Sequence, residues 1–294
     1  MINLRSATRI GSIVAATLIL LFLVPLGPAS ADKETASFFK HLQKRLIADG
    51  FDAGRIRRLY QNEEVGFEAK GVTAYFQHNE AKLDYSKMTR PSWIDEARGY
   101  MEENAGALAA AKKKYGVDPK VITAIILVET KFGRYVGKRS IINTLSTMAS
   151  LSDRAPRDYL YRQLNRKTRI SRSDYDKKAD SKAGWAYAEL KAFLTYTAQH
   201  KVDPVSVVGS YAGALGIAQF MPSNILAYGQ DGNGDGRIDL FLDADAIFSI
   251  ASYLKHYGWK PGLDRQQAYK VVYHYNHSKY YVNTILKITD LLEG

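Results

Sequence analysis

Apolar residues recur at helical spacing along most of the chain. Phe38, Phe39, Leu42 and Leu46 fall three to four positions apart, and Gly50 stands where such a helix would stop. Asp52 is placed to cap a short second helix running through Tyr60. Asp118-Pro119 marks another start, because Asp can accept from free N–H groups of a first turn and Pro fits inside it. The run that follows, Val121 to Val128, is apolar throughout and predicts a buried helix. Periodicity resumes at Trp185, Tyr187, Leu190, Phe193 and Leu194, and a last helical pattern spans Val282 to Leu292. Strand-like alternation is scarce and no internal repeat is visible. The pattern predicts a mainly α fold with little β structure.

Two stretches depart from this pattern. At the start, Arg5 and Arg9 precede an apolar run from Ile10 to Leu26 that ends in Pro28-Ala29-Ser30-Ala31. Charged, apolar and small residues in that order predict a secretory signal over residues 1–31, cleaved after Ala31, with residues 32–294 as the mature chain. An uncleaved membrane anchor is the alternative, and either implies export to the periplasm or beyond. The second stretch, Asp153 to Lys182, carries ten Lys or Arg against five Asp. It reads as a basic insertion with some helix, either solvated or lying as a flap beside a polyanionic substrate.

Composition narrows the chemistry. The chain has 294 residues, 46% of them hydrophobic, enough for one sizeable core. It has no cysteine, which excludes disulfides, thiol catalysis, thiolate zinc sites and a lipid-modified N-terminal Cys. The net charge of +11 suggests an anionic partner. For an exported chain that partner is an envelope polymer or a membrane surface rather than nucleic acid.

Glu129 lies on the stripe of Ile122, Ile125 and Ile126, so an acid points toward the core face of its helix. Burial would raise its pKa and let it act as a general acid. The alternative is a Glu near a helix end that pairs with Lys131 or Arg134.

Further along, Gly209 to Ser223 is rich in small residues, which suit close backbone packing or close approach to a ligand, with Ser210 and Gln219 as polar groups. Asp231-Gly232-Asn233-Gly234-Asp235-Gly236-Arg237-Ile238-Asp239 matches the first nine positions of an EF-hand loop. Arg237 would offer only its carbonyl there. The twelfth position is Leu242 where a bidentate Glu is needed, leaving Asp243 or Asp245 as substitutes. Such a loop would hold calcium in a structural role. Finally, Tyr273-His274-Tyr275-Asn276-His277-Ser278 with Tyr280 and Tyr281 forms an aromatic cluster of the kind that stacks on sugars or packs on a core.

Taken in order, these segments resemble the membrane-bound lytic murein transglycosylase B family in its soluble, non-lipidated form. The resemblance rests on Tyr115-Gly116-Val117 through Val128-Glu129-Thr130-Lys131-Phe132-Gly133-Arg134, on Gly209 to Ser223, on the acidic loop with Asp245-Ala246-Ile247, and on Tyr275-Asn276-His277-Ser278. It spans about Met88 to Val282.

The resemblance implies a lysozyme-like, α-rich catalytic domain with a glycan groove and a calcium loop beside it. It makes Glu129 the catalytic residue, with Ser210, Tyr211, Gln219, Tyr275 and Asn276 binding substrate. Asp231, Asn233, Asp235, Arg237, Asp239 and Asp243 would be the metal ligands, and no organic cofactor is implied. The substrate would be peptidoglycan glycan strands, cut without net addition of water to leave 1,6-anhydromuramic acid ends. The protein would be a monomer, with other cell-wall enzymes as further partners. Leu242 departs from the family pattern, and so does the length of the basic segment. A hydrolytic muramidase on the same scaffold and a non-enzymatic binding module are the rival readings.

Overall fold

The computed structural model describes residues 35, 37–77, 85–165 and 170–293. The expected signal segment, residues 1–31, lies outside them. Two short helices, α1 (Lys40–Ala48) and α2 (Ala53–Gln61), lead into α3 (Ala69–Gln77). After a 3-10 turn at Tyr85–Thr89 come α4 (Pro91–Glu103), α5 (Ala105–Tyr115) and α6 (Pro119–Thr130). The middle of the chain holds β1 (Arg139–Ser140), α7 (Ile141–Ser150), α8 (Arg154–Asn165), the long α9 (Arg172–Gln199) and β2 (Val208–Gly209). It closes with α10 (Pro222–Tyr228), α11 (Asp243–His256), α12 (Arg265–Tyr275) and α13 (Lys279–Leu291).

The caps read from sequence are present. Asp52 accepts from the Arg55 N–H at 2.6 Å and Asp118 from the Lys120 N–H at 2.9 Å, so α2 and α6 begin where orphan donors find a carboxylate. Helix α6 is the axis of the core: Val121, Ile122, Ala124, Ile125, Ile126 and Leu127 are fully buried. Helices α4 and α13 pack against it, while α7 packs along α9. Among the described residues the only sheet is β1 paired antiparallel with β2, with Arg139 opposite Gly209 and Ser140 opposite Val208.

The basic segment folds as α8 and the first part of α9. Tyr175 is fully buried, and its hydroxyl donates to the Arg157 carbonyl at 2.9 Å. Arg172 bridges Asp158 at 2.6 Å and Asp176 at 2.7 Å, and Arg157 reaches Asp180. Arg154, Arg157 and Arg172 are thus paired within the segment, which packs through Leu160, Leu164 and Tyr175.

Candidate active site

Glu129 is the penultimate residue of α6, half-buried beyond the fully buried stretch from Val121 to Leu127. The helix ends abruptly: Lys131, Phe132 and Gly133 take φ of 50°, 61° and 77° in succession. A left-handed residue that is not glycine costs about 1 kcal/mol or more, so the surroundings must hold this turn. Thr130, fully buried, does much of that holding. Its hydroxyl accepts from the Gly133 N–H at 3.0 Å and donates to the Ile217 carbonyl at 3.1 Å. Phe132 stacks on Tyr100 at 4.8 Å, while Arg134 pairs with Glu96 at 2.7 Å. The alternative partner expected for Glu129 is thus engaged elsewhere, and the Lys131 ammonium lies over the rings of Tyr135 and Trp93.

The Gly-rich run docks against this turn. Ile217 joins it to the end of the acidic loop through its N–H, which donates to the Leu240 carbonyl at 2.7 Å. Close packing is the reason for two of its glycines. A Cβ on Gly209 would stand 2.2 Å from the Ala214 oxygen, and one on Gly216 would stand 2.4 Å from the Leu240 Cβ. Ser210 accepts from the N–H groups of Ala214 at 3.1 Å and Ala212 at 3.3 Å, which pins its own turn. Both bonds use lone pairs and leave the hydroxyl proton to donate. Gln219, itself at φ 48°, donates through Nε2 to the carbonyls of Gly216 and Val136, which leaves Oε1 as an acceptor. Tyr211 lies farther along, its ring 6.4 Å from that of Tyr75.

From the opposite side come the ends of α12 and α13. The Tyr281 hydroxyl donates to Glu129 Oε1 at 2.7 Å, and the Tyr275 hydroxyl donates to the Ala218 carbonyl at 2.6 Å. The two rings stack at 6.4 Å with planes 7° apart. Burial, and next the Glu129 charge, push both phenols well above their ordinary pKa, so each stays a neutral donor across the working range. Asn276 caps α12, and its half-buried side chain meets no partner among the described residues.

Tyr281 was visible in the sequence only as a member of the aromatic cluster, and nothing there singled it out as the partner of Glu129. Tyr281→Phe is expected to lower kcat by about tenfold with little change in KM. An unchanged kcat would contradict this role.

The acidic loop is held by its own backbone. Asp231 accepts from the N–H groups of Gly234 at 2.6 Å and Gly236 at 2.7 Å, which holds its carboxyl below the usual range. Asp235 and Asp239 accept from the N–H groups of Arg237 and Phe241. Asp243, expected as a metal ligand, instead accepts from the Tyr100 hydroxyl at 2.7 Å at the head of α11. Asp245, fully buried, closes the loop by accepting from Gly232 at 2.8 Å, Asn233 at 3.4 Å and Asp239 at 2.7 Å. Oxygen donors of the right chemistry for calcium are present in Asp231, Asn233, Asp235 and Asp239, with the Arg237 carbonyl among them. Among the described residues, however, no three acidic or imidazole groups converge on one point, and Leu242 is 42% exposed. The fit to calcium is therefore partial.

Comparison with known proteins bears on this geometry. The sequence profile of a family described as "Transglycosylase SLT domain" matches residues 34–268. The membrane-bound lytic murein transglycosylase B of Escherichia coli (strain K12) is 34% identical over 185 residues, 63% of this chain and 44% of that protein. The match thus spans less than half of that relative's length. The Escherichia coli lytic transglycosylase Slt35, solved in complex with calcium, is 24% identical with a TM-score of 0.65, covering 87% of this chain and 92% of that one. SltB3 from Pseudomonas aeruginosa, solved in complex with NAG-NAM-pentapeptide, is 20% identical with a TM-score of 0.68, covering 87% and 80%. The mainly α, lysozyme-like fold expected from the sequence is the fold of these structures.

Proposed function

The chain belongs to the transglycosylase SLT domain family, and on that footing we propose that it is a lytic transglycosylase of peptidoglycan with Glu129 as its single acid and base. The observation that carries the assignment to Glu129 is its setting: a half-buried carboxylate at the end of a core helix, held by the Tyr281 hydroxyl at 2.7 Å. Glu129 protonates the oxygen of the β-1,4 bond between N-acetylmuramic acid and N-acetylglucosamine, and that bond breaks as the proton arrives. The acetamido oxygen of the substrate stabilises the positive anomeric carbon. The 6-hydroxyl of the same sugar then attacks that carbon and gives its proton back to Glu129, closing a 1,6-anhydro ring. No water is consumed, and one carboxylate suffices where ordinary glycosidases use two.

Substrate binding falls to groups that keep unused hydrogen-bonding capacity. These are the Ser210 hydroxyl proton, Gln219 Oε1 and the Asn276 amide, with Tyr211 and the Tyr275 ring as walls. Tyr275 contributes its face rather than its hydroxyl, which the Ala218 carbonyl occupies. No described helix is long and apolar enough to cross a membrane. The leader pattern over residues 1–31 supports export to the compartment where peptidoglycan lies. Incubation of the purified protein with sacculi tests the activity: release of soluble muropeptides is expected, and none overturns the reading.

The acidic loop is a weak structural calcium site, supported by its oxygen donors and limited by Leu242. Calcium is expected to raise the melting temperature only at about millimolar concentration, where loops lacking a full ligand set bind. Saturation of the shift in the micromolar range, or no shift, contradicts this.

A further inference from the structure

The aromatic residues at the junction of α12 and α13 divide between two faces. Tyr275 and Tyr281 turn inward to Glu129. Tyr269 and Tyr273 turn outward, their planes 14° apart with centroids at 6.2 Å, and the His277 ring meets Tyr273 edge-on at 5.0 Å. Tyr269 rests half-buried against the core, while Tyr273 is 38% exposed and presents its ring to solvent. Together with Lys270, His274 and Lys279, these side chains line an open hollow of about 670 Å³. Neither lysine meets a carboxylate among the described residues, and Lys279 lies 5.2 Å over the exposed Tyr280 ring. Parallel tyrosines offer flat faces to the C–H surfaces of sugars, and unpaired ammonium groups beside them select for anions. A ligand that suits both is a glycan carrying carboxylates on peptide branches.

The location points the same way. Tyr273 and Tyr275 are two residues apart on one helix, so the hollow and the Glu129 site are separated by about a helix diameter, on the order of 10 Å.

We propose that this hollow is a second binding site for the same polymer, holding the carboxylate-bearing peptide branches of a glycan strand beyond the point of cleavage. The proposal rests on the peptidoglycan reading of Glu129. It makes the hollow a device for retaining insoluble wall, acting on KM for sacculi.

The test is co-sedimentation with sacculi, using the full chain carrying Glu129→Gln so that no turnover intervenes. Adding Lys270→Glu with Lys279→Glu, or Tyr273→Ala, is expected to weaken binding about fivefold or more, and Tyr273→Phe to preserve it. Sacculi stripped of stem peptides by an amidase should bind the charge-reversed protein and its parent alike. In the otherwise active chain, the two charge reversals should raise KM for sacculi and leave kcat on short peptide-free glycans unchanged. Equal binding by parent and variants overturns the proposal. So does a loss by the charge-reversed protein that persists on stripped glycan. Lys270 and Lys279 are exposed, so the charge-reversed protein keeps the test decisive should Tyr273→Ala fail to fold. Absence of lyase activity would refute the role of Glu129 and leave the binding comparison standing.

Discussion

Replacing Glu129 by Gln is expected to lower turnover of sacculi by about a thousandfold or more, because a positioned acid or base contributes on the order of a hundredfold to ten-thousandfold and this one serves twice. Gln matches Glu in shape, and its Oε1 can still accept from the Tyr281 hydroxyl that now lies 2.7 Å from the carboxylate. It can neither release nor take up a proton. The melting temperature and binding to sacculi should therefore hold while kcat collapses. Retention of more than about a tenth of the activity would move the chemistry to another residue.

The second large effect concerns folding. Asp245→Ala should destabilise the protein by about 3 kcal/mol, since three backbone donors lose a charged acceptor in a partly closed loop. For a domain of this size that corresponds to a fall of roughly 6–12 °C in melting temperature. Asp245→Asn should recover little of it. Its carbonyl can serve Gly232 and Asn233, but its NH2 group would then face the Asp239 N–H, donor against donor. A thermal shift below about 2 °C for Asp245→Ala would mean that the loop closes without this residue.

How far these features could be read in the chain differs from one to the next. Helix α6 was legible in full, because Asp118-Pro119 fixes its start and an unbroken apolar run identifies it as core. Glu129 on the inner stripe of that helix was legible too, although periodicity left escape to solvent or an ion pair with Lys131 or Arg134 equally open. Packing decided otherwise, by giving Arg134 to Glu96.

What the chain did not reveal were contacts across long sequence separation. Tyr281 is one of 20 tyrosines and reaches Glu129 across 152 positions. Thr130 looks like an ordinary helix end until its hydroxyl is seen to tie Gly133 to Ile217. In the acidic loop the spacing left Asp243 and Asp245 both open as the closing ligand, and the Asp243 side chain goes to Tyr100. The buried Asp245, two positions on, closes the loop through backbone N–H groups. Side-chain spacing finds ligand sets on one loop well, yet it does not say which acid on the following helix turns inward.

The nucleophile that completes the cycle decides whether Glu129 serves a lyase, and the mass of the products identifies it. Digestion of purified sacculi followed by mass spectrometry should show muropeptides ending in 1,6-anhydromuramic acid, each lighter by one water than its reducing-end counterpart. Reducing ends throughout would make water the nucleophile and the protein a hydrolytic muramidase.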